Sequence, residues 1–327
     1  MKKLLLATLV VLSLCSWGYL VHRTTVQLAL YHLPTKMRPF FFQNLDYLVK
    51  HSVRPDERRR FDSTEAPKHF IDLEAFGENA ATQMPESWAE ASARYTADTL
   101  RKYGIVPWTI TENFQKLTNA FRRGKRDSIL YFAADLGHYV GDAHVPLHTS
   151  LNYDGQLSNQ RGIHSLWEST LPELSFDQYQ FFEKHRVRYL RDPQRAAWEA
   201  VRSGNALLKA VFDEERDLTQ QFPDSVKYRI QRRNGIPLKY YTTAFAKAYG
   251  QRVNPAVQTQ LRHSAHAIAD FWYTAWVDAG KPDLNALITN TPPDSARAQL
   301  RAEVKAYKAN ALLSKGWLRA RAVNNEQ

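Results

Sequence analysis

A chain of 327 residues is long enough for one large domain or two modest ones. Hydrophobic residues make up 44% and charged residues 24%, a balance that excludes a disordered chain and a polytopic membrane protein. The formal charge of +11 attracts phosphates, nucleic acid or anionic lipid, but exported proteins without such partners are also often basic.

Met1-Lys2-Lys3 is a basic start, and an apolar run from Leu4 to Leu14 follows it. That run falls short of the roughly 20 residues a bilayer span needs and has the length of a secretory signal core. Residues 1–16 therefore read as a signal peptide cut after Ser16 and before Trp17, giving a periplasmic or secreted product with no membrane span after processing. An uncleaved single anchor is the alternative. Cys15 is the only cysteine, so cleavage leaves a mature chain without disulfides. Lipidation of Cys15 is a rival reading, against which the large Leu14 counts, since a small residue is expected there. Removal of the signal takes away two lysines and no acids, so +11 becomes +9.

Downstream, apolar residues recur at helical spacing over Arg23–Leu33, Phe40–Val53, Glu86–Tyr103, Trp108–Arg122, Arg126–His144, Arg195–Gln220 and Thr242–Ala279. Pro34, Pro55, Pro85, Pro107, Pro146, Pro172 and Pro193 fall where helices should start or stop. No convincing run of strict alternation is present, so the expected fold is all-α, a single multi-helix domain. After Thr291-Pro292-Pro293 the chain is basic, with seven Lys/Arg against three Asp/Glu from Asp294 to the end. This tail reads as a peripheral helix with a solvated face.

The densest chemical signal is His138-Tyr-Val-Gly-Asp142-Ala-His144-Val-Pro-Leu-His148. His138 and Asp142 are spaced to project from one helix face and share a metal, and Pro146 should end that helix so that His148 approaches from a turn. His164 and Glu168, in Gly162-Ile-His164-Ser-Leu-Trp167-Glu168, repeat the pair. Imidazole with carboxylate suits zinc and other first-row metals. One such pair is usually an ordinary hydrogen-bonded pair; two pairs with His148 between them make a metal centre an equal contender. Further candidates precede them in Trp17-Gly-Tyr-Leu-Val-His22, Pro55-Asp56-Glu57 and Lys68-His69-Phe-Ile-Asp72.

This series resembles the superfamily of zinc-dependent phospholipases C and fungal-type single-strand nucleases. The resemblance runs from about Trp17 to Ala279 and rests on Trp-Gly-x-x-x-His, a lone Asp, a lone His, His-x-x-x-Asp-x-x-x-x-x-His and His-x-x-x-Glu, in that order. It implies a catalytic helical domain over 17–281, a basic extension over 282–327, and three zinc ions, one for each of three ligand groups. Asp56, His69, His138 and Asp142 would hold the first. His148, His164 and Glu168 would hold the second. Trp17, through its free amine and carbonyl oxygen, and His22 would hold the third, with Asp142 bridging to the first. Asp56 would also act as general base or orient the attacking water.

An α-amine with a pKa of about 7.7–8.0 gives up its proton readily to zinc, so ligation by Trp17 makes signal removal an activation step. Zinc lowers the pKa of bound water from about 15.7 toward 7, and clustered metals can clamp the entering and leaving oxygens of a phosphodiester. His32, His51, His185, His263 and His266 match no motif position and read as surface or core residues; His144 reads as a packing or supporting residue. Asn152-Tyr153-Asp154-Gly155-Gln156 is expected to form a loop beside the metals.

Three functions follow as expectations. The first is phospholipase C-like hydrolysis of phospholipid; the second is cleavage of single-stranded DNA or RNA on the same scaffold. The third is a non-catalytic secreted protein binding anionic partners, which the full ligand set counts against. Glu168 and the short His148-to-His164 interval favour the phospholipases; the Trp167-Glu168 ending and the net charge lean toward the nucleases. No protein partner is predicted.

Overall fold

The computed structural model describes residues 18–233, 236–288 and 294–321, so the expected signal and Trp17 lie outside the described residues. The helices in the first half are α1 (Tyr19–His32), α2 (Arg38–Gln43), α3 (Leu45–His51), α4 (Arg54–Arg58), α5 (Ala80–Gln83), α6 (Trp88–Tyr95), α7 (Ala97–Tyr103), α8 (Val106–Arg122) and α9 (Arg126–Ala143). They are followed by α10 (Ile163–Ser165), α11 (Leu171–Ser175), α12 (Pro193–Thr219), α13 (Asp224–Lys227), the hairpin β1 (Tyr228–Arg233) and β2 (Ile236–Tyr241), α14 (Thr243–Asp278) and α15 (Asp294–Lys308). The fold is all-α with one hairpin, in a single domain with one continuous hydrophobic core.

Helix α9 is the spine, buried without interruption from Ala133 to Ala143 and packed against α1, α8 and α14. Its small residues make that possible. A Cβ on Gly137 would lie 2.7 Å from Val26 Cγ2, and one on Gly141 would lie 2.9 Å from His22 Nδ1. Glycine at these two positions, one turn apart, lets α1 lie against α9 and brings the His22 ring beside His138.

Two expected helices are divided. Asn44 interrupts Phe40–Val53 by donating Nδ2–H to the Phe40 carbonyl at 2.7 Å. Thr96, at φ +65°, interrupts Glu86–Tyr103, and its hydroxyl accepts from the Thr99 amide. Short polar side chains compete for backbone groups in this way, and periodicity does not reveal it. The hairpin was not expected: its strands are largely exposed, Ile230 and Leu238 included, and the Asn234-Gly235 dipeptide between them is the sequence signal for it.

The basic extension packs more firmly than a solvated helix would. Helix α15 keeps an exposed face but buries Glu303, Ala306 and Tyr307. Glu303 is fully buried, accepting from Tyr31 on α1 at 2.8 Å and pairing with Arg319 at 2.7 Å. The Gln27 side chain on α1 completes the join, donating to the Trp317 carbonyl and accepting from the Arg319 amide.

Candidate metal centre

Helix α9 projects His138 and Asp142 from one face, and its backbone ends at Ala143 before the 3-10 turn Pro146–Thr149. That turn presents His148, whose Nδ1–H donates to the His69 carbonyl at 2.6 Å, leaving Nε2 to face inward. His138 is held likewise: its Nδ1–H donates to the Ser52 carbonyl at 2.8 Å, so Nε2 carries the lone pair. His164 lies on α10, and Glu168 lies on the π-turn Leu166–Thr170 that follows directly. Such π-turns are frequent at functional sites. His164 Nε2 and Glu168 Oε2 are 2.9 Å apart.

Three ligand groups result. In the first, His69 Nδ1 is 2.9 Å and His138 Nε2 is 3.2 Å from Asp142 Oδ2, and the two ring nitrogens are 3.1 Å apart. Asp56 Oδ1 approaches them at 3.7 and 3.9 Å. In the second, His148 Nε2 and His164 Nε2 face each other at 3.1 Å, with Glu168 Oε2 3.6 Å from His148. In the third, His22 Nε2 lies 3.4 Å from Asp142 Oδ1 and 3.5 Å from Glu168 Oε1. Both carboxylates are therefore shared between groups; the sequence reading assigned sharing to Asp142 alone. Eight of the nine sequence-derived candidates converge, and Trp17 lies outside the described residues. Gly18 follows Trp17 in the chain, and a Cβ on it would stand 3.2 Å from Glu168 Oε1.

The donor set fits zinc. Ring nitrogens face one another at 3.1 Å with carboxylate oxygens beside them, a spacing that a shared cation, or protons in its place, would satisfy. Tetrahedral zinc with ligands at about 2.0–2.1 Å places neighbouring ligand atoms roughly 3.3 Å apart. The observed separations of 2.9–3.9 Å bracket that value. The electrostatics also favour a cation. Burial lowers the tendency of His148 to protonate, but Asp142 and Glu168 more than offset it and push its pKa up to about 9. Burial opposes the ionised forms of Asp142 and Glu168, yet the facing histidines hold both well below the usual carboxylate range.

The other histidines are placed differently. His144 points away from the cluster, donates Nδ1–H to the Val140 carbonyl at 2.7 Å, and is kept neutral by burial, with its pKa lowered to about 4. His32, His51, His185, His263 and His266 join none of the convergent groups among the described residues. The loop after His148 does sit beside the cluster: Tyr153 is 52% exposed with its ring 6.1 Å from that of His164. Gly155, at φ +72°, closes this loop where a Cβ would meet the Gln160 carbonyl oxygen at 2.3 Å.

Sequence reasoning missed the groups behind the ligands. Arg54 and Arg58 flank Asp56 on α4 and both bond Asp135 on α9. Fully buried Glu65 accepts from Arg58, Lys68 and the Tyr139 hydroxyl. The Asp135 contacts join residues distant in sequence, which no local pattern marks, whereas Glu65 and His69 sit four apart, a carboxylate–imidazole spacing the sequence does carry. No protein-family model matches this chain, and no curated protein matches it.

Proposed function

We propose that this chain is an exported zinc-dependent phosphodiester hydrolase of phospholipase C type. The observation that carries the reading is the convergence of eight imidazole and carboxylate side chains into groups that share Asp142 and Glu168. Shared carboxylates hold neighbouring cations close together, as in-line phosphoryl chemistry requires. Zinc, when bound, supplies Lewis acidity and lowers the pKa of water toward about 7.

The chain's own residues have distinct parts. His69, His138, His148 and His164 would hold the cations, with His138 and His148 oriented by carbonyl acceptors at their outer nitrogens. Asp56 is the open carboxylate of the first group, 25% exposed, and is the group placed to orient water and accept its proton at a carboxylate oxygen. Arg59, 3.5 Å from Asp56 and 46% exposed, offers guanidinium donors to a phosphate anion.

A second reading, cleavage of single-stranded nucleic acid, draws on Tyr153 beside His164, since exposed aromatic rings stack on bases. No helix among the described residues is long and apolar enough to cross a membrane.

The deciding experiment assays protein beginning at Trp17 on phosphatidylcholine and, separately, on single-stranded DNA and RNA, each with and without chelator. Chelator-sensitive release of phosphocholine alone supports the phospholipase reading; chelator-sensitive oligonucleotide cleavage moves the protein to the nuclease reading. Activity that persists without bound metal would overturn both. An extra residue placed before Trp17 should abolish most activity if the free amine is a ligand, and full activity would remove Trp17 from the set.

A further inference from the structure

The ligands of the first group stand on three segments, the helix of Asp56, the turn of His69 and the α9 face of His138 and Asp142, and one acid touches all three. His69 presents Nδ1 to Asp142, so its other nitrogen, Nε2, points away from the cluster. That atom is buried and without a hydrogen-bond partner. It faces Glu65 Oε1 at 3.6 Å, an ion-pair distance and longer than a closed hydrogen bond. Glu65 is fully buried and also receives Arg58 Nη2 at 3.2 Å, Lys68 Nζ at 2.7 Å and the hydroxyl of Tyr139. Arg58 is on the helix that carries Asp56, and Tyr139 is on the helix that carries His138 and Asp142. One carboxylate therefore touches all three segments from which the first group is built.

Asp135 strengthens the same join. It is 2% exposed, one turn before His138, and bonds Arg54 at 2.5 Å and Arg58 at 2.8 Å, which stand two residues before and two residues after Asp56. Arg58 spans both acids. An arginine fork held by two buried carboxylates is a stiff connection, because its planar donors lose little freedom on bonding.

Resting on the reading of the cluster as a zinc centre, we infer that Glu65, with Arg58 and Asp135, is the positioning set for the first zinc. Glu65 keeps the proton of His69 on Nε2, so that Nδ1 offers a lone pair, and it anchors the α4 segment at a fixed distance from α9. None of the three is a ligand. Outer partners of this kind typically change metal affinity by about 10–100-fold when removed. Among the described residues no acid is bonded to the outer nitrogen of His148, which donates to the His69 carbonyl, and Asp154 beside His164 accepts from that residue's backbone. Loss of Glu65 should therefore loosen one ion and spare the second site.

The test compares full-length mature protein with Glu65→Gln, which keeps the shape and removes the charge, by zinc analysis across a chelator titration. A control is available in Glu303→Gln, since Glu303 is equally buried and equally bonded to a tyrosine and an arginine but sits under α15. We expect one zinc to leave Glu65→Gln at about 10–100-fold lower chelator, with the remainder and the Glu303→Gln curve unchanged. Cobalt substitution should show a changed visible spectrum for that one ion. Should Glu65→Gln fail to fold, Arg58→Lys and Asp135→Asn carry the test, with the same ion expected to loosen. Wild-type zinc retention in the folded variants overturns the inference, as does equal loosening in Glu303→Gln. A wild-type protein that binds no zinc overturns the function proposed above and this inference with it; a zinc-loaded wild type with unaffected variants overturns this inference alone.

Discussion

The molecule contains two histidine clusters, and they are built on opposite principles. In the cluster around Asp142, ring nitrogens point at one another and at carboxylates, and burial is outweighed by negative charge, so His69, His138 and His148 all have raised pKa values. In the other, His32, His185 and His266 meet mainly ring to ring: His185 and His266 are stacked 4.3 Å apart and nearly parallel, and His32 meets His266 edge-on. Its one carboxylate, Asp270, is occupied by His185 and Arg188. Burial, with the neighbouring His185, lowers His32 to about 4; burial, with His32, lowers His266 to about 3. Carboxylates shared among facing imidazoles mark the first cluster as the candidate cation site, whereas the second is a ring-packed core in which burial lowers the pKa of His32 and His266.

The sharpest break in this comparison is Asp142→Asn. Removing the charge shared by two ligand groups should release more than one zinc and lower hydrolysis by at least about 1,000-fold, several kcal/mol of catalysis. Metal analysis beside the activity assay reads both. His148→Ala should release one ion and leave the rest, which the same analysis would show.

Next in size is the join that covers the second cluster. Glu303→Ala removes the carboxylate that the Tyr31 hydroxyl and half-buried Arg319 both bond, leaving Tyr31 with Gln27 and Arg319 with Asp46 and the Trp317 carbonyl, and should cost about 1–3 kcal/mol in denaturant unfolding, with zinc content intact. Loss of zinc in that variant would show that the extension also supports the metal centre.

A smaller effect is expected from pH. His32 and His266 bind protons more weakly folded than unfolded, so the unfolded chain takes up more protons as pH falls. Their contribution is complete above the ordinary histidine value of about 6.5 and is lost progressively from there down toward about 4, by at most about 1.4 kcal/mol per pH unit for each group. Arg38, Arg262 and His263 add to the cost of charging them, and Asp270 reduces it. His266→Leu should flatten the fall in melting temperature between pH 7 and pH 5 relative to wild type; an unchanged slope would place the acid sensitivity elsewhere. Smallest is His263→Ala at the exposed edge of the cluster, which should change stability by no more than about 0.5 kcal/mol and leave zinc untouched.

The local part of the candidate ligand set was legible in the spacing, whereas Trp17, His22, Asp56 and His69 entered through the resemblance. His138 and Asp142 sit four apart on one helix, Pro146 ends the stretch that follows, and His148 lies just past it, so spacing alone predicts the shared face and the turn. The all-α class followed from periodicity for the same reason. The hairpin escaped because strands exposed on both faces carry no apolar alternation, and the helix breaks at Asn44 and Thr96 escaped because one side-chain bond sets each.

By itself, then, the sequence determined which residue types stand at helical spacing, where prolines stop helices, and the order of the candidate ligands along the chain. Only the tertiary structure decided that Glu168 is shared with His22, that Glu65 and Asp135 stand behind the first group, and that α15 is tied to α1. Those are contacts between side chains 69 to 272 residues apart or across separate helices, as His138–His69 and Tyr31–Glu303 illustrate. No local pattern encodes them. Gly137 and Gly141 let α1 lie against α9, which brings His22 to the cluster, and close packing then fixes which buried charges must meet.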